Sequence, residues 1–251
     1  MRLIWGWACP YRDISNFEIM KILNHLPNAL TLLNLTMGTL AIIALINGLV
    51  PIVLLLVGGC LLADILDGAI ARRLGVSGGL GIQLDSLADV ISFGVLPALM
   101  IYSAFSMYAH EFPYHELISV FAALTAASAG LRLARFNIDT RPREYFWGLA
   151  TPAGAIMVTG WLWAQFDGRD YGLGMADCPW LGVLIPVFLI ICFQVPLKLP
   201  GLKSPKPGII TAILLGVSGV IGFILLGPIS IPLAIVGYVA LGLLNLVLKW
   251  Y

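Results

Sequence analysis

Four aspartates sit inside otherwise apolar runs. Asp64 and Asp67 fall in Ala-Asp-Ile-Leu-Asp-Gly-Ala-Ile-Ala-Arg, and Asp85 and Asp89 in Gly-Ile-Gln-Leu-Asp-Ser-Leu-Ala-Asp. On a helix, side chains three or four positions apart share a face, so each pair aims two carboxylates in one direction. The short connection from about Arg73 to Ile82 makes the two helices antiparallel neighbours, and the four acids then meet at one depth. Four ionised carboxylates so placed repel one another and are costly to desolvate; acids within a membrane segment point to function. Arg72 and Arg73 offer at most two compensating charges. Divalent cations fit better, and an all-oxygen donor set favours Mg²⁺, Mn²⁺ or Ca²⁺ over zinc. Two such ions would balance four carboxylates and could clamp a pyrophosphate. Gly68, Ala71, Gly78, Gly79 and Gly81 leave room around the acids for a bulky ligand, although glycines in a membrane hairpin also serve helix packing.

The elements that carry these residues follow from composition. The 251 residues are 60% hydrophobic and 11% charged, against roughly 25% charged in an ordinary soluble domain. Mean hydropathy is +0.97. A single globular core could not hide this much apolar surface, so lipid must cover it. Eight apolar stretches are long enough to span, or nearly span, a bilayer: about 29–47, 50–73, 84–107, 115–137, 148–166, 179–196, 208–226 and 229–248. The sixth, bounded by Pro179 and Pro196, is the shortest, and the last two are separated only by Gly227 to Ser230. Each is predicted to be a helix, because a segment in hydrocarbon must satisfy its own backbone hydrogen bonds. The expected fold is an all-α membrane protein, a polytopic bundle of about eight transmembrane helices with a short N-terminal interfacial helix.

The basic residues test that count. Eight crossings put both termini on one side, together with Arg2, Arg12, Lys21, Arg72, Arg73, Arg132, Arg135, Arg141, Arg143, Lys198, Lys203, Lys206 and Lys249. Thirteen of the fourteen basic residues gather there, and only Arg169 falls opposite. The positive-inside rule assigns that side, with both termini and the acids, to the cytoplasm. The expected location is a multi-pass protein of the cell (cytoplasmic) membrane. Residues 1–15 lack the apolar core and small-residue cleavage site of a signal peptide. Residues 16–26 space Phe17, Met20, Leu23 and Leu26 as on a helix lying at the membrane surface. The expected division is an arm and interfacial helix over 1–27 and one transmembrane domain over 28–251. Cys9, Cys60, Cys178 and Cys192 show neither a CxxC pair nor zinc-ligand spacing. His25, His110 and His115 are read as interfacial polar residues.

Asp64-x2-Asp67-Gly68-x2-Ala71-Arg72-x8-Gly81-x3-Asp85-x3-Asp89 resembles, at every defined position, the signature of the CDP-alcohol phosphotransferases. The resemblance implies two divalent metals held by Asp64, Asp67, Asp85 and Asp89, with Asp89 also the general base. It implies attack by an alcohol on the lipid-linked phosphorus of a CDP-activated lipid, with CMP leaving, in a homodimer whose cavity opens to the cytoplasm and inner leaflet. Asn34, Gly68, Ala71, Arg72 and Gly81 are the residues expected to bind CDP and lipid. The physical roles agree: phosphoryl-type transfer needs positioning and charge neutralisation, and a carboxylate near the alcohol can take its proton.

Three further stretches resemble the bacterial and archaeal members that make phosphatidylserine. They are Pro27 to Leu35; Asp85 to Gly94 with Pro97-Ala98; and Leu131-Arg132-Leu133-Ala134-Arg135-Phe136-Asn137 followed by Phe146 to Ala153. Ala150 stands where that subgroup often has Pro. The substrates so implied are CDP-diacylglycerol and L-serine, with Ser92, Phe93, Arg132 and Arg135 as acceptor residues. Arg132 and Arg135, three apart on one helix, share a face and can grip a carboxylate or a phosphate. The pair alone does not choose serine over glycerol 3-phosphate or inositol phosphate. A membrane prenyltransferase would show a second Asp-rich motif, and Asp167, Asp170 and Asp177 fall on the opposite side. An ion transporter would place its acids nearer mid-membrane.

Overall fold

Hydrocarbon surroundings favour helices, and helices make up most of the described residues. The computed structural model describes residues 11–76, 78–106, 115–139, 146–172, 178–199 and 206–248. Residues 1–10 of the expected arm, with Arg141, Arg143, Lys203, Lys249 and His110, lie outside them. The helices are α1 (Tyr11–Ile46), α2 (Val50–Leu74), α3 (Gly79–Asp89), α4 (Leu96–Ser106), α5 (His115–Ile138), α6 (Thr151–Ala164), α7 (Leu181–Gln194), α8 (Lys206–Leu226) and α9 (Ser230–Leu248). Two-residue strands β1 (Phe146–Trp147) and β2 (Lys198–Leu199) pair antiparallel, Phe146 opposite Leu199 and Trp147 opposite Lys198.

Five stretches among the described residues are long and apolar enough to cross a membrane: Asn24–Ile46, Val50–Leu74, Gly79–Phe105, Glu116–Ile138 and Gly216–Asn245. The last is interrupted by a 3₁₀ turn at Gly227–Ile229, across which α8 and α9 pack on each other. Helices α6 and α7 have 14 residues each, about 21 Å of helix, shorter than the stretches expected over 148–166 and 179–196. The residues left over are a few at each end of the two helices, 148–150 and 165–166 around α6 and 179–180 and 195–196 around α7. Large side chains such as Leu55, Ile224 and Leu225 are 70–75% exposed, as suits a lipid-facing surface.

Three features differ from expectation. The 16–26 segment is helical but is no separate element: α1 is one 36-residue helix that runs through Pro27. Proline removes one backbone hydrogen bond there without ending the helix. The third span starts at Gly79 rather than about residue 84. It is not uniform: Val90–Val95 form a π-helical turn between α3 and α4. Such turns insert one extra residue into a helix and recur at functional sites; this one begins immediately after Asp89.

Helix ends follow local chemistry. α2 stops at Gly75, whose φ of 67° is left-handed and whose N–H bonds Ala71 O. Arg72 and Arg73 occupy its last turn, where the helix dipole favours cations. The loop after α6 meets the α8–α9 turn: Arg169 pairs with Asp167 at 3.3 Å, and the Tyr171 hydroxyl donates to Asp167 at 2.8 Å. A Cβ on Gly227 would lie 2.9 Å from both Arg169 Nη1 and Tyr171 Oη. At the other end of α6, Gly148 N–H bonds Leu197 O and Leu149 N–H bonds Cys192 O. α6 and the α8–α9 hairpin therefore alternate in direction through the layer.

Candidate active site

Helices α1, α2 and α3 converge at one end, with α1 and α2 in the most extensive contact of the bundle. Asp64 and Asp67 project from α2 and Asp85 from α3, and one carboxylate oxygen from each lies within 4.8 Å of the other two. Among the described residues no Lys, Arg or His pairs with any of the four aspartates. Three oxygens this close are a donor set fitted to a hard divalent ion, which accepts carboxylates and water. Asp89, one turn beyond Asp85, is outside that trio. It is buried, feels the charges of Asp64, Asp85 and Asp67, and faces α1.

Helix α1 supplies partners that the motif does not contain. Thr31, buried, places its hydroxyl 2.7 Å from Asp67 Oδ2 and 3.0 Å from Pro27 O, so one proton is shared between two acceptors. Asn34 is 0% exposed and donates from Nδ2 to Asp89 Oδ1 at 3.4 Å. Its backbone carbonyl accepts from Ser92 Oγ at 3.3 Å and from Cys60 Sγ at 3.5 Å. Among the described residues Asn34 Oδ1 has no hydrogen-bond partner.

Beside the acids opens a cleft of about 120 Å³, lined by Asn28, Thr31, Asp67, Gly68, Gly81 and Asp85 among others. Ala71 also lines it. The small residues give it its space. A Cβ on Gly81 would come 3.2 Å from Asn28 Oδ1, and one on Gly68 would come 3.1 Å from Arg72 Nη1. The Arg72 guanidinium thus folds back over Gly68 at the rim.

The expected site residues therefore divide. Gly68, Ala71, Arg72 and Gly81 surround the cleft, as the spacing implies. Asn34 does not line it; it is packed against Asp89. Ser92 and Phe93, expected to face an acceptor, are each about 1% exposed. The Ser92 hydroxyl is held by α1, and Phe93 packs with Cys60 and Ala155. Both sit buried within the π turn, so neither lines open space. Arg132 and Arg135 share a face of α5 but point their heads to different partners. Arg132 is half-buried, has Asp89 as its charged neighbour, and leaves Nε without a hydrogen bond. Arg135 Nη1 donates to Gln194 Oε1 of α7 at 2.6 Å. Asn28 and Thr31 were missed as site residues, although both stand in the Pro27 to Leu35 stretch.

Comparison with known proteins agrees with this geometry. Residues 24–198 match the family described as CDP-alcohol phosphatidyltransferase. The archaetidylserine synthase of Methanothermobacter thermautotrophicus is 38% identical over 143 residues, 56% of this chain and 59% of that protein. The CDP-diacylglycerol–serine O-phosphatidyltransferase of Methanocaldococcus jannaschii is 37% identical over 144 residues, 57% of this chain and 63% of that one. The protein of the same name in Bacillus subtilis is 34% identical over 138 residues, 54% of this chain and 75% of that one. The match with the first two spans less than two thirds of their length.

Proposed function

The chain belongs to the CDP-alcohol phosphatidyltransferase family, and on that premise we propose that it transfers a phosphatidyl group from CDP-diacylglycerol to L-serine, releasing phosphatidylserine and CMP. The observation that carries this reading is the convergence of Asp64, Asp67 and Asp85 within 4.8 Å of one another, beside a cleft that Asp67 and Asp85 line. Three relatives named for serine or archaetidylserine support the acceptor.

Asp64, Asp67 and Asp85, with Asp89 beside them, are the residues that would hold two divalent cations, Mg²⁺ or Mn²⁺, with Ca²⁺ a third candidate. Such ions, when bound, neutralise phosphate charge and stabilise the departing CMP. The cleft holds the cytidine diphosphate: Asn28 and Thr31 line its α1 wall, and Gly68 and Gly81 let the ligand approach the backbone. Arg72 closes the rim and supplies positive charge to a phosphate oxygen. Asp89 takes the proton of the serine hydroxyl as its oxygen bonds to the lipid-linked phosphorus. The bond from that phosphorus to the CMP oxygen breaks, and CMP leaves with the electron pair. Arg132, next to Asp89, grips the serine carboxylate, with Arg135 one turn further out.

The gathering of the basic residues on one side supports a cytoplasmic site and cytoplasmic termini, in a protein that crosses the cell membrane eight times. A homodimer is part of the same reading, as the family resemblance implies.

The test is CMP release from CDP-diacylglycerol by purified protein with Mn²⁺ or Mg²⁺. Serine should support release far better than glycerol 3-phosphate or inositol phosphate. The reverse order would discard serine and retain the transfer chemistry.

A further inference from the structure

Helix α7 is apolar throughout except for Cys192 and its last residue, Gln194. A polar side chain at the end of such a helix needs partners within the protein, and Gln194 has three contacts on α5. Its Nε2 donates to Ser128 O at 2.9 Å and to Ser128 Oγ at 2.8 Å, and its Oε1 accepts from Arg135 Nη1 at 2.6 Å. At 100° per residue, Ser128, Arg132 and Arg135 fall within about 60° of one another on α5. Gln194 therefore brackets Arg132, holding the turn before it and the guanidinium after it. The Ser128 carbonyl that Gln194 engages is also the helical acceptor for the Arg132 N–H.

The far side of this contact is anchored as well. Gly148 has φ 76°, and a Cβ there would meet Val195 O at 3.1 Å and Cys192 O at 3.3 Å. With the Leu149–Cys192 and Gly148–Leu197 hydrogen bonds, the chain before α6 grips the end of α7 that carries Gln194.

We propose that Gln194 is a positioning residue for the acceptor, holding the Arg135 guanidinium and the Ser128 turn that precedes Arg132, so that the anionic group of the acceptor meets a guanidinium head already in place. This rests on the assignment of the two arginines to the acceptor. A guanidinium held in advance loses less freedom when it binds a carboxylate.

The experiment is a double-mutant cycle on purified enzyme with Gln194→Met, close in volume, and Arg135→Ala. Gln194→Met should raise the serine KM about tenfold, as loss of a hydrogen bond to a charged group implies. The KM for CDP-diacylglycerol, kcat at saturating serine and the melting temperature in detergent should stay near wild type. In the Arg135→Ala background Gln194→Met should add little. Equal effects in both backgrounds, or a rise confined to the CDP-diacylglycerol KM, would overturn the positioning role. If Arg135→Ala leaves the serine KM unchanged, the assignment of Arg135 itself fails, a distinct result. Should Gln194→Met not fold, Gln194→Asn keeps the amide but is too short to span Ser128 and Arg135, and carries the same expectation.

Discussion

The Thr31 hydroxyl lies 2.7 Å from Asp67 Oδ2, tying α1 to the carboxylate most enclosed within the trio. A partner of this kind orients a metal-binding carboxylate without touching the metal, and its loss typically costs 10–100-fold in metal affinity. Thr31→Val keeps the shape and removes the donor. It should raise the Mn²⁺ concentration for half-maximal CMP release by about tenfold or more. A Mn²⁺ titration at fixed substrate reads this, and an unchanged midpoint would separate Thr31 from the metal site.

The carboxylate trio makes removal of divalent ions the simplest global test. Chelation should abolish CMP release, and Mg²⁺ or Mn²⁺ should restore it. Asp64→Asn, Asp67→Asn and Asp85→Asn should each shift that restoration to higher metal concentration, because each withdraws a charged ligand. Activity that survives exhaustive chelation would mean the three acids do something else.

Asp89 should behave differently from the trio. It lies outside the set of oxygens within 4.8 Å and touches Asn34 instead. Asp89→Asn preserves size and removes the proton acceptor, so turnover should fall by about 10²–10⁴. Excess Mn²⁺ should not recover it. Recovery at high Mn²⁺ would make Asp89 a ligand only, and a wild-type rate would remove it as base.

Much of this arrangement was legible from residue types and spacing. Apolar runs gave the helices, and the i,i+3 and i,i+4 acid pairs gave the facing carboxylates, because both depend on periodicity within one element. Gly68, Ala71 and Gly81 were legible as room for a ligand because they flank the acids in the chain, but the α1 wall of the cleft was not. What could not be read depends on contacts between elements. Thr31 looks like any threonine in an apolar helix until α2 is placed beside it. Ser92 and Phe93 were expected at the acceptor because they continue the resembling stretch after Asp89; both are buried within the π turn, which residue spacing does not reveal. Gln194 did leave a signal, the last polar position of an otherwise apolar run, but its meaning required the neighbouring helix. The β1–β2 ladder is two residues per strand and has no period to detect.

The approach of α1 to the π turn gives a stability prediction that pits two effects against each other. Gly38 is buried in mid-helix, where alanine is ordinarily favoured by about 1 kcal/mol. Here a Cβ would run into Ser92 Oγ, with Ser92 Cα only 3.2 Å away. Overpacking against backbone costs about 1–3 kcal/mol, so the clash should win. Gly38→Ala should lower the melting temperature in detergent and reduce activity, since Ser92 is three residues from Asp89 on the same turn. Adding Ser92→Gly removes the colliding side chain and should restore part of both. A Gly38→Ala protein as stable as wild type would show that α1 and the π turn can separate without cost, and that this contact does not set the position of Asp89.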